Sequence, residues 1–92
     1  MLDSTAVLRD VELRLRALEE AHHLQRLVDA ATAHLTEAKR RSAEAEPGSL
    51  AEQQYLREAT EASGRLSLLR EQLFAAQREL RRTAYLVQLL SE

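Results

Sequence analysis

The side chains best suited to chemistry in this chain are His22 and His23, with Glu19 four residues before the second of them. Imidazoles bind metals and move protons near neutral pH. On a helix, however, neighbours in sequence point about 100° apart, so His22 and His23 cannot ligate one ion from a single face. The i, i+4 histidine pair of zinc-binding helices is absent, as is His-Glu-x-x-His. Glu19 and His23 have the spacing of a local pair, and His34 reads as a helix-surface residue. No metal site is expected.

Two basic clusters are the next candidates. Lys39, Arg40 and Arg41 fall where a first helix should end, and positive charge there complements the helix dipole. Arg78, Arg81 and Arg82 stand beside Phe74 and Tyr85. Arginine next to aromatic rings suits an interface with an acidic partner, by stacking or by ion pairing. Both signs of charge are mixed along the chain and the net charge is only −2, so no field exists to hold a polyanion, and nucleic acid is disfavoured as a partner. A Gly-rich phosphate loop, a nucleophile elbow and a convergent carboxylate pair are all missing. No catalytic residue, no cofactor and no enzyme activity are expected.

Composition says what must position these residues. Helix formers dominate the 92 residues, and one Phe and two Tyr are the only large aromatic fillers. The expected fold is therefore all-α with a leucine and alanine core in a single domain spanning residues 1–92. With no cysteine, no run of about 18 apolar residues and an acid at position 3 where a signal peptide needs basic residues, the reading is a soluble, cytoplasmic protein without a membrane span. Twelve of the thirteen basic residues are Arg, a compositional hint of a GC-rich bacterial genome.

The single proline divides the chain. Pro47 lacks the N–H a helix interior needs, and Gly48 can take the left-handed conformation past a helix end. Ser49-Leu-Ala-Glu52 then has the form of a capping box. With Asp3 or Ser4 as the first N-cap, the expectation is helix one over about 4–46, a turn at 47–49 and helix two over about 50–91. Two helices of near-equal length and a tight turn make an antiparallel hairpin.

Helix two carries a seam at Tyr55, Ala59, Ala62, Leu66, Leu69, Leu73, Ala76, Leu80, Thr83, Val87 and Leu90. Its steps alternate four and three, the 3.5-residue period of a left-handed coiled coil. Gly64 lies off this seam, either as surface drift or to admit another backbone. On helix one, an ideal 100° wheel groups Leu13, Ala17, Leu24, Leu27, Val28, Ala31, Leu35 and Ala38 on the face expected to meet helix two. A second set, Val7, Leu8, Val11, Leu15 and Leu18, falls on nearly the opposite side and only in the N-terminal half. Phe74, Tyr85, Leu86 and Leu89 add apolar surface to the part of helix two that an antiparallel hairpin places beside it.

Leaving that second stripe in water would forgo on the order of 10 kcal/mol. Soluble monomers seldom expose such a patch without a use for it. The expectation is an interface at the open end, completed into a helical bundle by a second copy or by another helical protein. Its expected binding residues are Val7, Leu8, Val11, Leu15, Leu18, Phe74, Arg78, Tyr85 and Leu89. The alternative is a kinked or later-starting first helix that turns the stripe into ordinary core.

The run LRLRALEEAHHLQRLVDAATAHLTEAKRR, followed through a short turn by EQQYLREATEASGRLSLL, resembles the small helical co-chaperones of type III secretion needle subunits. The similarity spans about residues 11–74, and Gln54-Tyr55 matches a Gln-Tyr that often opens the second helix in that family. The C-terminal segment with Tyr85 and Leu89 is longer than in the shorter members. The resemblance implies a hairpin that joins a tetratricopeptide-repeat-like chaperone and keeps an aggregation-prone needle subunit monomeric in the bacterial cytosol. A protein-binding chaperone or adaptor is the expected function, and a homo-oligomeric four-helix scaffold is the alternative.

Overall fold

A computed structural model describes the backbone of residues 4–91 and the side chains of residues 5–82. Two helices account for it: α1, Ser4–Glu44, and α2, Leu50–Ser91. They form an all-α helical hairpin with two compact units. One joins the turn to the adjoining helix segments over 26–71, and the other joins residues 1–25 to residues 72–92. Each unit draws on both helices, the start of α1 clustering with the end of α2, as antiparallel pairing requires.

Helix one ends two residues before the expected 46. The last α-type bond runs from the Ala45 N–H to the Arg41 carbonyl at 3.0 Å. Glu46 precedes proline and is thereby biased out of helical backbone. The Ser49 N–H donates to the Glu46 carbonyl at 3.1 Å, and Gly48 between them has φ +79°. Proline second and a positive-φ glycine third make Glu46-Pro47-Gly48-Ser49 a type II turn. Gly48 thus serves the turn rather than standing directly after the helix end as expected.

Ser49 starts α2 as the sequence suggests. Its Oγ accepts from the Glu52 N–H at 3.1 Å, and its carbonyl accepts from the Gln53 N–H at 3.1 Å. The Glu52 carboxylate reaches past the cap residue to the Gly48 N–H at 3.2 Å. The Ser49 N–H is already spent on the turn, so the reciprocal bond of the capping box moves back one residue.

The turn unit is cored by Val28, Ala31 and Ala38 of α1 with Ala59, Ala62 and Leu66 of α2, all buried, while Leu35, Tyr55 and Leu69 are half-buried. In the other unit Ala21, Leu24 and Leu73 are buried, and Ala17, Ala76 and Leu80 half-buried. The α2 seam is therefore realised from Tyr55 to Leu80. Thr83, Val87 and Leu90 lie outside the described side chains, as does Asp3.

On α1 the protected apolar positions are 17, 21, 24, 28, 31, 35 and 38, again alternating four and three. This corrects the 100° wheel in two places. Leu13 and Leu27, assigned to the face meeting α2, are 50% and 38% exposed, while Ala21, left out of it, is buried. An ideal wheel drifts about 20° per heptad against a 3.5 repeat, so over four heptads it misplaces flanking residues onto the seam. Gly64 is exposed, and a Cβ built on it meets nothing within 4 Å, so no other backbone approaches there.

Candidate protein-binding face

The repeat that buries Ala17, Ala21 and Leu24 predicts Val7, Asp10 and Arg14 as the next seam positions toward the N-terminus. Two of these three are charged. The leucines of that half stand one residue later: Leu8, Val11, Leu15 and Leu18 each follow a seam position. At 3.6 residues per turn they lie about 100° around the helix from it, on its flank rather than opposite. Leu18 and Val11, nearer the seam, are 38% and 46% exposed, and Leu15 and Leu8, further out, are 54% and 65%. Burial against α2 thus grades off across the stripe and leaves all four side chains exposed. Val7 sits in seam register but is still 43% exposed.

The stripe has its own 3-4-3 spacing, so 8, 11, 15 and 18 form a second heptad seam on the same helix. No later start of α1 absorbs it, for the helix runs from Ser4 to Glu44. Phe74 of α2 is 57% exposed. It follows seam residue Leu73 just as Leu8 and Leu15 follow theirs. In an antiparallel pair the flanks after the seam lie on one lateral side, so Phe74 and the α1 stripe share it. Tyr85 and Leu89, expected to extend this surface, lie outside the described side chains.

The basic cluster of α2 lies on the outward face of the helix. Arg78 and Arg82 line a surface cleft with Ala75 and Glu79, and the Glu79 carboxylate stands 3.8 Å from the Arg82 guanidinium. Arg81, three residues from Arg78 and next to Arg82, is exposed on the same outward face of the helix. It follows seam residue Leu80 and so lies toward the lateral side of Phe74.

At the turn, the sequence reading of Arg40 and Arg41 as helix-end charges was incomplete. Arg40 bridges Glu37 at 2.6 Å and Glu44 at 2.9 Å, and Arg41 meets Glu37 at 2.9 Å. Hydrogen bonds from Arg40 and then Arg41 hold the Glu37 carboxyl down to about 2. Arg40 is raised, chiefly by its hydrogen bond to Glu37. Arg41 is raised by Glu37 first and then by Tyr55 across the hairpin. The i, i+3 and i, i+4 spacing of Glu37, Arg40, Arg41 and Glu44 was the available signal. This is a clasp on the fold, with its acids and bases mutually satisfied, rather than a binding site.

His22, His23 and His34 are all exposed. Among the described residues no three His, Cys, Asp or Glu side chains converge to hold a metal ion. None of the described helices is long and apolar enough to cross a membrane.

Fold and surface together define the class: an α-helical hairpin with a lateral apolar face that its own core does not cover. Comparison with protein-family models, with curated proteins and with solved structures gives no match to this chain.

Proposed function

We propose that this hairpin is a protein-binding module, most concretely a small chaperone or adaptor, that works by burying a partner's apolar helix against Leu8, Val11, Leu15, Leu18 and Phe74. The observation that carries this reading is the placement of charge and leucine on α1. Asp10 and Arg14 take the seam positions while four aliphatic side chains stand in water beside them. A helix serving only its own hairpin would have the two sets exchanged. Docking of an amphipathic helix along a groove read at i, i+3 and i+7 spacing is the recognition mode such a stripe fits.

The likeness to type III secretion co-chaperones gives this a specific form, in which the partners are a helical needle subunit and its tetratricopeptide-repeat-like chaperone. The test mixes the chain with such a pair and measures mass by light scattering on a sizing column. The expected result is a ternary complex that is lost in the Leu15→Glu, Leu18→Glu double variant, whose helical circular dichroism stays unchanged. A complex that survives the double change would reject the stripe as the binding face.

A second reading, a homo-oligomeric four-helix scaffold, is favoured by the surface area. The chain exposes 7345 Å², whereas a compact monomer of 10.4 kDa would expose roughly 5,400 Å².

A further inference from the structure

We infer that the lateral stripe of α1 is covered by the same stripe of a second copy, with the two α1 helices running parallel. The inference rests on the second reading above, the homo-oligomeric scaffold, and a second copy seated there excludes a partner's helix from the same stripe. Two features lead to a second copy. The chain exposes about 2,000 Å² more than a compact monomer of its mass would, some of which an interface between copies would cover. A net charge of −2 also puts little repulsion between two copies.

The charges beside the stripe select the direction. Taking Leu8 and Leu15 as the first core positions of its heptads and Val11 and Leu18 as the fourth, the flanking positions are Val7 and Arg14 on one edge and Glu12 and Glu19 on the other. Arg14, Glu12 and Glu19 are all exposed. Parallel helices pair one edge of each with the opposite edge of the other, five residues further on. That sets Arg14 against Glu19 of the second copy, twice by symmetry, and leaves Glu12 beside Val7. Antiparallel helices pair like edges, which sets Glu12 against Glu12 and Arg14 against Arg14. Attraction in one direction and repulsion in the other is a device for specifying orientation. Phe74, on the same lateral side, lies at the edge of the surface so covered.

The chain has no cysteine, so single-cysteine variants report direction cleanly. The full chain is studied by sedimentation over a range of concentrations and by oxidation. A dimer is expected, in which Leu8→Cys links to itself. In an antiparallel pair two such residues would stand about 15 Å apart along the axis, beyond the roughly 7 Å a disulfide can span. Leu15→Glu with Leu18→Glu should weaken the dimer at least about 100-fold with helicity retained. Arg14→Glu should weaken it and Glu19→Arg in the same chain should restore it.

A monomer at all concentrations overturns the inference and leaves the stripe open to a different protein. A dimer in which Leu8→Cys links only to Leu18→Cys overturns the parallel direction. A dimer indifferent to the double glutamate change overturns both this inference and the interface beneath it.

Discussion

The Arg41 guanidinium lies 5.8 Å from the centre of the Tyr55 ring, joining the last turn of α1 to the first turns of α2. Arginine at that distance from an aromatic face is attracted by the ring quadrupole. Arg41 is also bound to Glu37, four residues back on its own helix. One acid therefore aims the cation that reaches across the hairpin.

Glu37 gives the turn unit a pH dependence of defined sign. Its carboxyl is held at about 2 against an ordinary 4.5, so between those values the unfolded chain binds the extra proton. The Glu37 contribution is complete above about pH 4.5 and is lost as pH falls through about 2. Thermal unfolding of the native chain and Glu37→Gln should differ at neutral pH and converge at the acid end. Because the pairs are exposed, added salt should narrow the difference as well.

The two glycines should respond to alanine in opposite directions. At Gly48, φ is +79°, and a Cβ in that region costs about 1–2 kcal/mol. At Gly64 the backbone is helical and the added methyl meets open space, so Gly64→Ala should stabilise by about 0.5–1 kcal/mol. Denaturant midpoints of the two variants provide the comparison.

Ser49→Ala removes the oxygen that accepts from the Glu52 N–H. A loss of about 1 kcal/mol is expected. Ser49→Asp keeps an acceptor in place and should recover most of it, so the pair separates capping from any effect of side-chain size.

Alanine is the required size at the most protected positions of the turn unit. Ala38 and Ala62 are 2% and 3% exposed. Ala38→Leu or Ala62→Leu should each destabilise by about 1–3 kcal/mol through overpacking. Ala43→Leu, on an exposed position of the same helix, should change the unfolding midpoint by less than about 0.5 kcal/mol equivalent.

Much of this fold was legible because it is written in local rules. Pro47, Gly48 and Ser49 announce a break through backbone chemistry, and the α2 seam announces itself by strict spacing. The α1 seam was harder to read. Alanine at 17 and 21 and charge at 10 and 14 give a weak apolar signal, while Leu13 and Leu27 beside it give a strong one. Side-chain size misled the wheel, and only contact with α2 shows which of the neighbouring positions is covered. The Arg41 to Tyr55 contact was invisible for a related reason, since it joins residues fourteen apart whose meeting depends on how the turn folds back.

The sequence by itself determined that two long helices form, where they part, and that apolar residues outnumber the places one hairpin offers them. These follow from helix propensity, from the missing N–H of Pro47 and from the count and spacing of leucines. Tertiary structure decided which of the apolar sets on α1 meets α2, that the other lies on a flank shared with Phe74, and that Glu37 governs the charges at the turn. Those outcomes depend on the supercoiled register of two packed helices, in which a shift of one residue turns a side chain about 100° and moves it from core to water.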